Sequence, residues 1–311
     1  MNVRECASLL KKQDDILIVT HKNPDGDTVA SAAALCSALR RCGKRAFLYP
    51  NPQFNKKQRP LAESFLAAAD FAPGFIVSVD VATEELFARG FAGKVDLAID
   101  HHPTNTHFGS QELVQAEKSA CGEIVLALTK ALCGDVTAEE ASLLYIALTT
   151  DTGCFQYDNT NDASLTAGAE LLRLGADSPR IIKTFFRSAS PARLKLEGMI
   201  YSGMRFYRGG KIAAALITQE MLRESGATED DFDDLASLAG RTEGSILNFT
   251  IRELPNGGSK VSVRSTKDVS SSAICAHFGG GGHAMASGCT IAEKPEKAAE
   301  VLMDVVNELY P

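Results

Sequence analysis

The sequence contains no tryptophan, and aromatic residues make up only 7% of it. A protein that threads long single strands of nucleic acid needs a basic groove with stacking rings. Here rings are few and the formal net charge is −7. The same balance argues against coating long duplex nucleic acid by neutralising its phosphates. A nucleotide substrate stays open, because carboxylates gathered around divalent cations make a chain look more acidic than its loaded site. No stretch approaches the ~18 uninterrupted apolar residues of a membrane span, so no membrane partner is expected. The opening segment, MNVRECASLLKKQDD, spreads charge through an amphipathic pattern and lacks an apolar core with a small-residue cleavage site. It predicts a surface helix and not a signal peptide. The eight cysteines are scattered, with no C-x-x-C pair. That pattern predicts reduced, partly buried thiols in a soluble cytoplasmic protein, and neither a zinc ribbon nor a secreted disulfide framework.

What is present is ordinary globular composition, 45% hydrophobic and 23% charged over 311 residues. That length exceeds what one core usually serves, so two domains are expected. In the first half, apolar runs alternate with helical patterns. ILIVT (from Ile16), AFLYP (from Ala46), FIVSVD (from Phe75) and VDLAID (from Val95) read as strands. Helical patterns cover Thr28 to Cys42, Leu61 to Ala69, Thr83 to Ala88, Cys121 to Cys133 and Ala138 to Thr149. Strands that are apolar throughout suit a parallel sheet covered on both faces. The fold class is therefore α/β, an N-terminal doubly wound, mostly parallel sheet, followed by a smaller C-terminal α+β domain with a mixed sheet. The predicted boundaries are residues 1–185 for the first domain, 186–203 for a helical connector and 204–311 for the second domain. In the second domain KIAAALIT, SILNFTIRE and KVSVRS read as strands, the last two paired around the PNGG turn at Pro255 to Gly258. Helices at Asp268 to His277 and Pro295 to Leu309, and a short strand at Gly288 to Ala292, complete it.

Four places carry candidate chemistry. In HKNPDGD, directly after ILIVT, Pro24 and Gly26 force a tight path from which His21, Asp25 and Asp27 can splay around one centre. Asp80 closes FIVSVD, Asp100-His101-His102 closes VDLAID, and Asp151 follows the Ala138 helix. Three of these places end parallel strands, where open α/β sheets bind ligands. Asp oxygen combined with His nitrogen suits Mn²⁺, with Mg²⁺ or Co²⁺ as alternatives. Each residue taken alone also has a structural reading. Asp25 and Asp27 suit a turn or helix cap, Asp80 a cap, and Asp151 a T-D-T-G turn. In combination the structural readings weaken, because three of only six histidines stand beside these aspartates.

HKNPDGD, Asp80, Asp100-His101-His102 and Asp151 reproduce in order the four motifs of DHH-family phosphoesterases. GGGGHAMASG (Gly279 to Gly288), with VSVRS upstream, resembles the glycine-rich signature of the DHH-associated domain. The spacing DHHxxN, from Asp100 to Asn105, most resembles the nanoRNase/pAp-phosphatase branch. Two departures, Ala30 in place of Gly before Ser31 and Ser287 in place of Ala before Gly288, leave the ligand positions untouched.

The resemblance implies two divalent cations. His21, Asp25, Asp80 and Asp151 would hold one; Asp27, Asp80, His101 and Asp151 would hold the other, with Asp80 and Asp151 shared. It implies that His102 faces the scissile phosphate and is not a ligand, while Asp100 orients an imidazole. The catalytic set is then His102, Asp27, Asp80 and His101. In the second domain Arg264 and His283 would reach a substrate phosphate, with Gly280, Gly281 and Gly282 opening backbone N–H groups to an anion. Arg252 and Lys267 are secondary candidates, Asn105 and His107 would line the cleft from the first domain, and His277 is structural.

By the same resemblance the substrate is a di- to pentanucleotide, including linear dinucleotides, cleaved to 5′-mononucleotides, with 3′-phosphoadenosine 5′-phosphate as a second substrate. A homodimer through the first domain is the expected assembly. The alternatives are an inorganic pyrophosphatase or a RecJ-like single-strand exonuclease of the same superfamily, and a non-catalytic nucleotide sensor.

Overall fold

Hydrophobic runs set the first sheet. The computed structural model describes residues 1–232 and 235–311, and the chain divides into two compact units, Met1–Ser188 and Ala189–Pro311. The first unit runs α1 (Val3–Leu10), β1 (Ile16–Val19), α2 (Gly26–Arg41), β2 (Ala46–Leu48), α3 (Arg59–Ala62), β3 (Phe75–Val79), β4 (Leu97–Asp100), β5 (Gln111–Val114), α4 (Cys121–Cys133), α5 (Ala138–Asp151), α6 (Asp162–Arg173) and α7 (Ser178–Ile182). The strands form one parallel sheet in the order β2-β1-β3-β4-β5. Ile16, Ile18, Val77, Val79, Leu97 and Ile99 are buried in it, and burying each such side chain contributes about 1.5–3 kcal/mol. The order reverses at β1 and β3, which makes the carboxyl ends of these strands the topological switch point.

Helix α2 is rich in alanine, and Ala30, Ala32, Ala34 and Ala38 are all buried in the first unit's core. Small side chains let α4 and α5 come close to it. At its start, a Cβ on Gly26 would lie 2.5 Å from the Thr150 side chain. Helix α2 therefore begins against the end of α5. The Thr28 hydroxyl donates to the Val79 carbonyl at 2.9 Å, which ties the same turn to the end of β3.

Two helical expectations shrink. Leu61 to Ala69 gives only the single turn of α3 and a 3-10 turn at Glu63–Phe65, because Leu66 and Ala67 then extend beside β2. Thr83 to Ala88 gives a 3-10 turn at Glu84–Leu86, and Phe87 bridges to His21. The strand β5 was not expected. It is an edge strand whose sequence, QELV, is half polar and buries only Leu113 fully.

The second unit contains α8 (Pro191–Ser202), β6 (Arg205–Tyr207), β7 (Ile212–Ile217), α9 (Gln219–Ser225), β8 (Leu247–Glu253), β9 (Ser259–Ser265), α10 (Ser271–Ala276), β10 (Gly281–His283), β11 (Ala286–Ile291) and α11 (Pro295–Leu309). Its mixed sheet has the order β10-β11-β9-β8-β7-β6, with β7 and β8 the parallel pair. As expected, β8 and β9 form a hairpin around the PNGG turn. One face packs Phe249, Ile251, Val261 and Val263 against Ile274 of α10 and Leu302 of α11. Over β7 the other face is covered by Leu196 and Ile200 of α8 and by Leu238. The helix expected within a connector at 186–203 is thus packed into the second unit, because its apolar side chains find Ala213, Ala215 and Ile217.

The close contact of α4 and α5 yields a stability prediction. A Cβ at Gly122 would lie 2.7 Å from the Ala147 Cβ. Gly122→Val should lower the unfolding free energy by about 1–3 kcal/mol, as overpacking of a filled core does. Urea denaturation would show this as a lower midpoint at unchanged slope; an unchanged midpoint would refute the tight crossing.

Candidate metal centre

The loop after β1 and the first turn of α2 deliver three of the candidate ligands. Asp25 is the N-cap of α2, and its Oδ1 accepts from the Thr28 N–H at 3.0 Å. The structural reading of this residue therefore holds for one oxygen only. The other, Oδ2, lies 3.7 Å from His21 Nε2. Asp27 is fully buried in the first turn. It accepts from the Ser31 hydroxyl at 2.8 Å and from the backbone N–H groups of Cys121 at 2.7 Å and Gly122 at 3.0 Å. Those N–H groups open α4, so the free donors and dipole of a helix N-terminus face the carboxylate. Nothing in the local sequence around Asp27 signals this grip, which comes from 94 and 95 residues away.

Asp80 lies one residue beyond β3 with φ +61°, in the left-handed region that side chains other than glycine seldom occupy. Its N–H donates to the Ile99 carbonyl at 2.9 Å. Its Oδ1 is buried and has no hydrogen-bond partner. Asp151 is the last residue of α5, partly buried.

Two imidazoles face these carboxylates. His21 Nδ1 lies 2.8 Å from the Lys22 carbonyl and His101 Nδ1 lies 3.0 Å from the Lys118 carbonyl. Each Nδ1–H is thereby engaged, and each Nε2 is turned to the carboxylates. His21 Nε2 is 3.7 Å from Asp80 Oδ2. His101 Nε2 is 3.4 Å from Asp80 Oδ1, 3.6 Å from Asp151 Oδ2 and 3.8 Å from Asp27 Oδ2. These separations are long for hydrogen bonds. They suit donors that share an ion.

The charges make the same point. Burial, joined by the charges of Asp80 and Asp151, pushes the Asp27 carboxyl well above the usual range. Burial also raises Asp151 to about 7 against the pull of His101, with Asp80 and Asp25 adding to the rise. At His101 burial disfavours the cation, yet the nearby Asp80 carboxylate, with Asp27 and Asp151, outweighs it and raises the group to about 10. At His21 burial is outweighed by Asp25 and Asp80, and the group rises to about 9. A cluster that traps protons in this way is short of positive charge. Divalent cations would supply it, and the donors fit them. His21, Asp25 and Asp80 place ligand atoms within 4.8 Å of one another, and so do Asp27, His101 and Asp151.

His102 is held differently. Its Nδ1 is 2.8 Å from Asp100 Oδ1, and this hydrogen bond is the main reason its basicity is raised. Asp100 is buried, and its Oδ2 accepts from Asn105 Nδ2 at 2.7 Å. Asn105 was expected to meet substrate. Instead it is buried, with its amide nitrogen spent on Asp100 and Val81 and its oxygen on the His107 N–H. The spacing DHHxxN located the residue but not the direction of its side chain. His107 itself is exposed and paired with Glu112 at 2.6 Å.

In the second unit, Arg264 of β9 is opposite Ala286 of β11, and Ala286 is opposite His283 of β10. Residues directly opposite share a face, so Arg264 and His283 stand on the same face with only an alanine between them. The glycine run is more ordered than a free nest. Gly279 N–H donates to Ala276 and Gly280 N–H to Cys275, while Gly281–His283 pairs with β11. Gly280 has no room for a side chain, since a Cβ would lie 2.3 Å from the Gly288 carbonyl oxygen. The N–H groups left for an anion are those on the open edge of β10.

A carboxylate–imidazole centre where parallel strands end defines a class, the α/β proteins that hold divalent cations at a sheet's switch point. A family model described as the DHH family, N-terminal domain, matches residues 15–148, and one described as the DHHA1 domain matches residues 209–310. The chain belongs to the DHH family. It is 32% identical to the bifunctional oligoribonuclease and PAP phosphatase NrnA of Thermus thermophilus, over 98% of this chain and 94% of that one. An exopolyphosphatase-related protein from Bacteroides fragilis shares the fold with a TM-score of 0.88 at 23% identity, covering 98% of this chain and 95% of its own. RecJ from Thermus thermophilus, solved with Mn²⁺, has a TM-score of 0.56 at 17% identity, with 99% of this chain and 55% of RecJ covered.

Cation binding should be visible without any substrate. Adding Mn²⁺ at about 100 times its Kd to chelator-stripped protein should stabilise it by about 2.7 kcal/mol. Differential scanning fluorimetry would read this as a rise of roughly 5–10 °C for a unit of this size. Asp80→Ala should abolish the rise. An equal rise in that variant would place the cations elsewhere.

Proposed function

We propose that this chain is a metal-dependent phosphoesterase that hydrolyses di- to pentanucleotides of RNA, linear dinucleotides among them, to 5′-mononucleotides. The reading extends to 3′-phosphoadenosine 5′-phosphate, converted to AMP. The observation that carries it is Asp80, whose buried and unpartnered Oδ1 faces His101 while Oδ2 faces His21. The printed name of the Thermus thermophilus relative, an oligoribonuclease and PAP phosphatase, supports the substrate class.

Two divalent cations, Mn²⁺ by the donor mix, would be held by His21, Asp25, Asp80 and Asp151 and by Asp27, Asp80, His101 and Asp151. When bound, such a pair supplies acidified water and neutralises phosphoryl charge. The protein's own contributions are positional. Ser31 and the N-terminus of α4 hold Asp27 in one rotamer. Backbone carbonyls hold the His21 and His101 rings. Asp100 engages Nδ1 of His102, which leaves Nε2 of this partly exposed ring for the reacting phosphate. From that nitrogen His102 can hand a proton to the leaving oxygen. Arg264 and His283, on one sheet face with Ala286 between them, would grip a further phosphate of the substrate with the N–H groups on the open edge of β10, the Gly280 N–H being spent on the Cys275 carbonyl.

A homodimer formed through the first unit belongs to the same reading. Leu165 and Leu172, two turns apart on α6, are exposed apolar side chains there. No described helix is long and apolar enough to cross a membrane.

The first test is Mn²⁺-dependent hydrolysis of a 5′-labelled RNA series from dinucleotide to 24-mer, beside 3′-phosphoadenosine 5′-phosphate and pyrophosphate. Mononucleotide should appear fastest from the shortest RNAs. Asp80→Ala should lose the activity, and His102→Ala should slow it by about 10²–10⁴-fold, the usual contribution of a general acid. Turnover of pyrophosphate alone, or equal rates at every length, would refute the substrate assignment.

A second test addresses Asn105. Asn105→Ala should leave Mn²⁺ stabilisation intact while lowering kcat about 10–100-fold, as loss of an orienting partner does. A rise in KM with kcat unchanged would return Asn105 to substrate binding.

A further inference from the structure

The second unit's sheet carries cationic side chains that the chemistry above leaves unused. Period-2 alternation puts Thr250 and Arg252 of β8, and Lys260, Ser262 and Arg264 of β9, on the face away from α10 and α11. None of these five is acidic, in a chain whose formal net charge is −7. β11 adds Ala286 beside Arg264, Gly288 beside Ser262 and the uncharged Thr290 beside Lys260, so the face is open next to Ser262 and Arg264.

Arg264 marks one end of this face. At the other end Arg252 and Lys260 are directly opposite one another across the β8–β9 pair. Like charges in that position destabilise a hairpin, and among the described residues no ion pair relieves either one. Their charges are available to an anion. Beside them lies a pocket of about 180 Å³ lined by Ile217, Phe232, Leu235 and Ala236 together with the polar side chains of this face. The Arg252 guanidinium lies 4.5 Å from the centroid of the Phe232 ring. The Thr250 hydroxyl donates to the carbonyls of Leu235 and Ala236, each at 3.3 Å, and so ties that wall to the sheet. A concavity with one apolar, ring-bearing wall and one doubly cationic wall matches the two halves of a nucleotide, a flat base and a phosphate. Lys260 and Arg264 are four residues apart on β9, roughly 13 Å at about 3.3 Å per residue. One phosphate cannot reach both.

We propose that this pocket is a second nucleotide subsite. It takes the phosphate of a further nucleotide unit on Arg252 and Lys260 and its base against Phe232 and Leu235. Oligonucleotides long enough to fill it gain affinity over a dinucleotide or a nucleoside bisphosphate, which end at the grip of Arg264 and His283. The inference rests on the short-oligonucleotide reading above and concerns affinity, not the turnover rate that favours the shortest RNAs.

The test compares KM for a 5′-phosphorylated dinucleotide and tetranucleotide, using the full Mn²⁺-loaded chain, its Lys260→Ala variant and its Lys260→Arg variant. Lys260 is exposed, so its replacement leaves the core undisturbed. In Lys260→Ala the ratio of tetranucleotide KM to dinucleotide KM should rise about tenfold, and Lys260→Arg should restore it. The slope of log Kd against log salt for the tetranucleotide should also flatten by about 0.7 in Lys260→Ala, the amount expected for one lost phosphate contact on a single strand. An unchanged ratio in Lys260→Ala would overturn the subsite. Inhibition of dinucleotide hydrolysis by free AMP that weakens in Lys260→Ala, with the ratio unchanged, would assign the pocket to free mononucleotide and likewise overturn it. If the unaltered chain turns over neither substrate, the oligonucleotide reading itself fails. Turnover with an unchanged ratio defeats this inference alone.

Discussion

The first unit is organised around the mutual repulsion of buried carboxylates. Asp25, Asp27, Asp80 and Asp151 converge on two imidazoles. Two unit charges 4 Å apart interact by about 4 kcal/mol at the effective dielectric typical of a protein. Without compensation the cluster would protonate or push its elements apart, and the raised Asp27 and Asp151 carboxyls show the first tendency. The fold counters the second. Asp27 is set against the amino end of α4, Asp25 is bonded to the start of α2, and each ligand imidazole is pinned through its far nitrogen. These contacts fix direction but do not remove the charge. What remains is a deficit that divalent cations would fill.

Much of the packing follows from bringing those carboxylates together. Asp27 and Asp151 stand on different helices, so α2 and α5 must begin and end within a few ångströms of each other. A side chain at that crossing would prevent this, and the sequence has Gly26 of α2 against Thr150 of α5; Gly122 of α4 against Ala147 brings α4 equally close to α5. The alanines of α2 extend the same close approach along the helix. Asp80 shows the cost at the level of the backbone. Its left-handed φ turns the carboxylate back over the sheet end instead of along the strand, a conformation that costs about 1–3 kcal/mol and persists where the surroundings dictate it.

The parts of this arrangement that are local in sequence were legible in it. Apolar runs ending in Asp or His identified β1, β3 and β4 and placed the centre at their carboxyl ends, because hydrophobic pattern and strand end are adjacent in the chain. The edge strand β5 was not legible, since half-polar QELV gives no apolar run. Nor was the support of Asp27 by Cys121 and Gly122, a contact across more than ninety residues that no local pattern encodes. Asn105 lies between these cases. Its spacing from His101 and His102 was visible, but whether its amide pointed to substrate or to Asp100 depended on a rotamer. In the second unit GGGGH was recognisable as a special segment. That Gly280 and Gly282 leave no room for a side chain required knowing that the run pairs with β11.

The two units solve opposite electrostatic problems with the same sheet rule. In the first, candidate ligands come from strand ends and helix termini, where side chains from several elements can converge on a point. In the second, candidate phosphate contacts come from strand interiors, where period-2 alternation spaces side chains along a face. A point suits chemistry at one phosphorus atom. A face suits an extended substrate whose phosphates recur at intervals. Arg264 and His283 share one cross-strand row, and Arg252 and Lys260 share another four residues along β9. Rows of this kind would discriminate by substrate length, because each added nucleotide would meet a new row or meet none. On the proposed reading the acidic centre would carry the reaction, and the cations on the second sheet would set which phosphoesters bind.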